Sequence, residues 1–149
     1  MWRAEDITPL GDPVAWVRSH PDMCLGKGYK ASNELLLRRL RDTLWVLRPA
    51  AEVRTEVHIR WGVLTCDVDW LDGDERDAFR ELVPHPEAGQ NNSRAEVLIT
   101  AFSSFAATTT SRPDEIDLLV GEFDQQDHEV LDYAKAQLRT SGRAVVFRV

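Results

Sequence analysis

The sequence predicts an α+β fold: a small mixed, mostly antiparallel sheet with helices laid on one face of it. Three observations carry that expectation. Leu36, Leu40, Leu44 and Leu47 recur at three- and four-residue steps, which draws one apolar stripe along a helix. Val53, Thr55, Val57 and Ile59 then alternate with polar and charged residues, the two-residue period of a half-buried strand. The remaining apolar runs follow the same two periods without repeats, low-complexity tracts or linkers, so residues 1–149 read as one domain.

Each element follows from local chemistry. In "GDPVAWVRSH", Asp12 is a natural N-cap and Pro13 suits the first helical position, so a short helix is expected. The overlapping stretch "VRSHPDMCLG" (17–26) holds the breakers Pro21 and Gly26 on either side of Met23 and Leu25. It reads as a loop that buries both side chains against the first long helix. On that reading Met23→Ala costs about 2–5 kcal/mol. "SNELLLRRLRDTLWVLRP" carries the leucine stripe, with Ser32 or Asn33 as cap and Pro49 as stop, giving a helix over 32–48. Residues 53–69 form a hairpin that turns at Trp61-Gly62 and returns over 63–68. "DGDERDAFRELV" opens with acids and ends at Pro84, which suggests a short helix. "HPEAGQNN" is a loop. Ser93 and Glu96 have capping-box spacing ahead of an apolar run. "EIDLLVGEF" reads as a strand, "DHEVLDYAKAQLRTSG" as a helix stopped by Gly142, and "RAVVFRV" as a final strand.

Composition narrows the function classes. A net charge of -7 argues against a general nucleic-acid or anionic-membrane binder, because phosphate contact needs clustered Lys and Arg. No apolar run approaches the roughly 20 residues of a membrane span. The N-terminal segment lacks the basic and apolar regions of a signal peptide, and Cys24 and Cys66 lack metal spacing. A cytoplasmic protein with reduced thiols is therefore expected, and the Asn91-Asn92-Ser93 glycosylation pattern is a coincidence.

No metal site is expected either. The acidic run from Asp67 to Asp77 places Asp72 at the sixth position and Ala78 at the twelfth, where a calcium loop needs Gly and Glu. His20, His58, His85 and His128 are dispersed, and Ser103, Ser104 and Ser111 have no nucleophile elbow. The arginines of "LRRLR" (37–41) read as a helix flank paired with acids.

The order of these pieces carries a resemblance. "PVAWVRSHPDMCLG" keeps Val17, Arg18, Pro21, Met23 and Gly26 of a pattern that runs Val-Arg, a pair ending in Pro, then Gly-Met-Tyr-Ile-Gly. A long helix, a hairpin ending in an aspartate, a helix opening "RAEVLIT" (94–100) and a last strand "SGRAVVF" (141–147) follow in order. In this the chain resembles the ATPase domain of gyrase B and its type II topoisomerase relatives, of the GHKL superfamily. The resemblance implies a minimal Bergerat-like two-layer sandwich over 1–149 without the lid.

It also implies which residues would meet a nucleotide. The family's water-activating glutamate falls on Arg39 and its magnesium-binding asparagine on Thr43, next to Asp42. The adenine-reading aspartate falls on Asp67, and the threonine behind it falls on Arg143. An arginine keeps its proton up to a pKa above about 12, so Arg39 cannot be the base. A Thr43 hydroxyl is a poor metal ligand. The Gly-x-x-Gly-x-Gly cradle, the phosphate-binding lysine and the glycine-rich lid are absent; "SSFAATTTSRPDE" stands in that region.

Base, metal ligand and phosphate cradle are thus missing together. The expectation is a non-catalytic, degenerate ATPase-like domain without cofactor, ATP and ADP included, acting as an interaction or regulatory module toward a protein partner or a second copy. Asp67, Thr43, Asp42 and Arg143 are the residues that would touch any nucleotide still bound. A small-molecule or nucleotide binder without hydrolysis, and a subunit of an enzyme completed by another chain, are the alternatives. Arg143, helped by Arg39, is expected to pair with Asp67 and fill the adenine space.

Overall fold

The computed structural model describes residues 11–88 and 92–149. Residues 1–10, on which the leader reading rests, and 89–91, part of an expected loop, lie outside them. The protein is an α+β protein whose five-stranded sheet is antiparallel throughout, with helices packed on it.

The N-terminal segments follow from capping and tethering. Helix α1 (Pro13–Ser19) starts as the sequence predicts, with the Asp12 carboxylate accepting the Ala15 N–H at 3.2 Å and Pro13 in the first turn. The expected loop after it is instead a single helical turn, α2 (Pro21–Leu25), closed by Gly26 at φ +104°. This overturns one expectation. Leu25 is buried, but Met23 is 74% exposed. Residues two apart on a helix point to nearly opposite sides, so one turn cannot bury both. Met23→Ala is therefore expected to cost less than about 0.5 kcal/mol in urea unfolding. A loss above about 2 kcal/mol would show a core position. Two arginines tether the stretch: Arg18 Nε donates to the Ala101 carbonyl at 2.8 Å, and Arg39 Nη2 to the Leu25 carbonyl at 2.6 Å.

Helix α3 (Asn33–Leu47) is capped by Ser32, whose hydroxyl accepts the Leu35 N–H, and its Leu36, Leu40 and Leu44 are fully buried. The hairpin of β1 (Val53–His58) and β2 (Trp61–Cys66) turns at Ile59-Arg60, not at Trp61-Gly62. Trp61 pairs with His58 and is a core residue. Gly62 is needed for packing: a Cβ there would lie 2.4 Å from the Phe147 ring. Ile59 takes the left-handed φ of +59°, an outlier for a β-branched residue.

Between residues 69 and 83 the expected helix gives way to turns. The carboxylates of Asp69, Asp74 and Asp77 each accept the N–H two residues on, from Leu71, Arg76 and Phe79. Such local bonds offer the backbone an alternative to the helical ladder, and here they win. The expected Ser93–Glu96 capping box is also absent. Helix α4 (Glu96–Phe102) begins after Ala95, and Ser93 bridges Pro84.

A strand nobody would read from "FAATTT" follows. β3 (Phe105–Thr110) is buried along all six residues, between β5 and β4. Its alanines and threonines lack the large alternating side chains that mark a strand, although Thr is a good strand former. β4 (Ile116–Val120) forms one sheet edge. Helix α5 (Gln125–Ala136) opens with a capping box between Asp124 and Asp127. It ends six residues before Gly142, which serves a close approach instead: a Cβ there would meet the Cys66 carbonyl at 2.7 Å. β5 (Arg143–Arg148) completes the order β1-β2-β5-β3-β4.

The α+β expectation holds, with two corrections of detail. Among the described residues every strand pair of the sheet is antiparallel, so it is not mixed. Its helices also lie on both faces. Leu64, Val145 and Phe147 pack with side chains of α1 to α4, whereas Val63, Ala144 and Val146 pack under Val130, Leu131 and Ala134 of α5. β2 and β5 place apolar side chains on both faces, and such strands need cover on both. Among the described residues no helix is long and apolar enough to cross a membrane.

Candidate functional site

A cleft of about 580 Å³ opens at one end of the sheet. Its floor is made by the ends of β3 and β5. The Asp-rich turns of residues 69–79 form one wall, and the loop of residues 110–117 forms the other. At the floor, Arg143 makes a two-pronged pair with Asp69, Nε to Oδ1 at 2.7 Å and Nη2 to Oδ2 at 3.3 Å. Its Nη1 donates to the Thr108 hydroxyl at 3.0 Å, and that hydroxyl donates in turn to the Ala144 carbonyl. Both charged side chains are largely buried. On the walls, Thr110 bonds Glu115, and Arg80 grips Asp117 with both guanidinium ends.

A second network fixes the Asp-rich wall from behind. Glu96 is completely buried at the start of α4, and its Oε1 accepts from Arg94 at 2.7 Å and from the Trp70 indole at 3.3 Å. Arg94 also reaches Asp74 at 2.6 Å. Asp74 is held below the usual carboxylate range by the Arg76 N–H and then by Arg94. The wall is thus clamped to α4 by a charge network, although the turns themselves have little regular structure.

The predicted site residues are dispersed. Arg143 does pair with an aspartate, but with Asp69 and not Asp67. Strand alternation is the reason. Arg143 faces the α3 side, opposite Cys66 in the ladder, whereas Asp67 carries on the Val63–Thr65 row toward α5. Asp67 there accepts the Glu52 N–H at 2.9 Å and lines a separate groove with Leu138 and Arg139. Arg39 is spent on the Leu25 carbonyl and does not assist. Thr43 is buried and its hydroxyl accepts the Ala95 N–H at 3.1 Å, which anchors the approach to α4. Asp42 is exposed on α3.

Sequence reasoning missed Asp69 and Thr108. Asp69 stands in "CDVDW", two residues beyond the aspartate chosen, and only the end of β2 at Cys66 frees it to turn back under Arg143. Thr108 belongs to β3, a stretch to which the sequence pattern assigns no element.

The chemistry available in the cleft is charge recognition. Among the described residues, eight carboxylates and three arginines line it, with no lysine and no glycine-rich run of free amides. Cys66 is buried, and burial is the chief cause that pushes its thiol up, away from thiolate. Among the described residues no group of three or more His, Cys, Asp or Glu side chains converges as a metal would require. No protein-family model matches the chain, and no curated protein matches it.

Proposed function

We propose that this chain is a non-catalytic domain of gyrase B-ATPase-like descent that serves as a protein-interaction or regulatory module. The observation that supports it most is the floor of the cleft. There Arg143 and Asp69 satisfy one another, in a surround that is strongly acidic. Carboxylates in excess repel the polyphosphate of a nucleotide, and a paired guanidinium leaves no free fork to receive one. The residues standing at the old base and metal positions hold the fold: Arg39 ties down α2, and Thr43 supports α4. A scaffold whose chemical positions have become structural ones keeps its surface as its means of action.

Calorimetry with ATP, ADP and a nucleotide panel, together with a phosphate-release assay, tests the reading. No saturable heat and no turnover are expected. ATP turnover abolished by Asp42→Ala or Asp67→Ala would overturn it, as would saturable binding of any nucleotide.

A further inference from the structure

Strand β4 is left half-covered. It forms the edge of the sheet beyond β3, and Ile116 and Leu118 lie opposite Thr109 and Ala107 on the face that α5 covers. The core under α5 takes its strand residues from β2, β3 and β5, so both β4 side chains stay exposed, at 45% and 37%. The next residue of β4, Asp117, points to the other face and into the acidic cleft. One short strand therefore presents an apolar strip on one side and, on the other, a carboxylate at the rim of the acidic cleft.

The edge already shows what it receives. Arg80 places its guanidinium across both Asp117 oxygens and donates to the Leu118 carbonyl at 3.1 Å. Three further acids of the cleft, Asp72, Glu75 and Asp114, have no ion pair among the described residues. Resting on the interaction-module reading, we propose that β4 is the docking edge for an extended partner segment in which basic and apolar residues alternate. Its apolar side chains cover Ile116 and Leu118 while its Lys or Arg side chains enter the cleft. Period-two alternation is what an added strand requires, since successive side chains go to opposite faces. A second copy of this chain is a poor occupant, because Asp117 and its acidic neighbours would be brought against their own charge. Arg80 guards the edge as charged side chains do on exposed strands, and the incoming segment displaces it.

Fluorescence anisotropy with a labelled peptide of alternating arginine and valine, roughly eight residues long, tests this. The comparison is a peptide of the same composition with all arginines first. The alternating peptide is expected to bind, and to bind more tightly than the block peptide. The double substitution Ile116→Ser and Leu118→Ser, at exposed positions that leave the core intact, is expected to weaken it by about tenfold or more. Arg80→Ala is expected to tighten it. Equal affinity for the two peptides, or an unchanged affinity in the double variant, would reduce the interaction to charge alone and overturn the proposal. So would failure of the alternating peptide to bind, or a dimer seen by sedimentation that the double variant abolishes. None of these outcomes touches the nucleotide calorimetry, so the docking edge can fail while the non-catalytic reading stands.

Discussion

Asp127→Ala is expected to lower stability by about 3–5 kcal/mol at neutral pH, the range for removing one partner of a buried charge pair. The carboxylate has no solvent exposure and joins three elements. It accepts the Trp61 indole N–H at 2.8 Å from β2 and Arg148 Nη2 at 3.2 Å from β5. From the capping box of α5 it accepts the Asp124 N–H at 3.0 Å. Alanine would leave a buried indole N–H and a mostly buried guanidinium without their acceptor, and would unpin α5 from its face of the sheet. The effect depends on pH. Burial pushes this carboxyl up, but the bonds from Asp124, Trp61 and Arg148 outweigh it and hold the group below its ordinary range. A depressed folded-state value means the stabilisation is fully present above the unfolded value near about 4 and is lost as pH falls through the folded one. Urea unfolding at neutral and acid pH should therefore show the gap between wild type and variant narrowing below about pH 4. A gap that stays constant would mean that packing, not the charge, accounts for the cost.

Arg94→Ala is expected to cost a similar amount, about 3–5 kcal/mol. It strands Glu96, which is wholly buried and would keep only the Trp70 indole N–H at 3.3 Å. It also releases Asp74, and with it the turn that walls the cleft. The double change Arg94→Met/Glu96→Leu removes both charges and should recover part of the loss, because an apolar pair of similar volume does not have to hold an unpaired ion. Guanidinium or urea midpoints of the wild type, both single variants and the double variant complete the cycle. If the single change costs under about 1 kcal/mol, Glu96 has found water, and the network is a surface pair in all but burial.

Much of the fold is legible in the sequence where one segment carries its own signal. The leucine stripe from Leu36 to Leu44, the Asp12-Pro13 start of α1 and the alternation of β1 each satisfy a local rule. The first two are also satisfied locally in the molecule, by a repeated buried face and a hydrogen-bonded cap. β1 is a strand whose expected inner row is only partly covered, with Val57 and Ile59 exposed. Where a segment could meet two local rules, the wrong one is easily read. The acids of residues 69–77 look like a helix start, yet as Asx caps they make turns. Ser93 and Glu96 have capping-box spacing, yet the buried Arg94 beside them draws the glutamate inward.

Long-range contact decided the rest. β3 is a strand because two neighbours supply its ladders, and no property of "FAATTT" announces them. α5 lies apart from the other helices because β2 and β5 carry apolar side chains on both faces, a demand visible only when the strands stand side by side. The cleft follows the same logic. An arginine on the last strand does seek an aspartate from the hairpin's end, as its charge requires. Which aspartate it finds depends on where β2 stops and on which face each side chain leaves the sheet. Asp67 still follows the parity of Val63 and Thr65 to the far side, whereas Asp69, beyond the end of β2, is free of that alternation and turns back to Arg143.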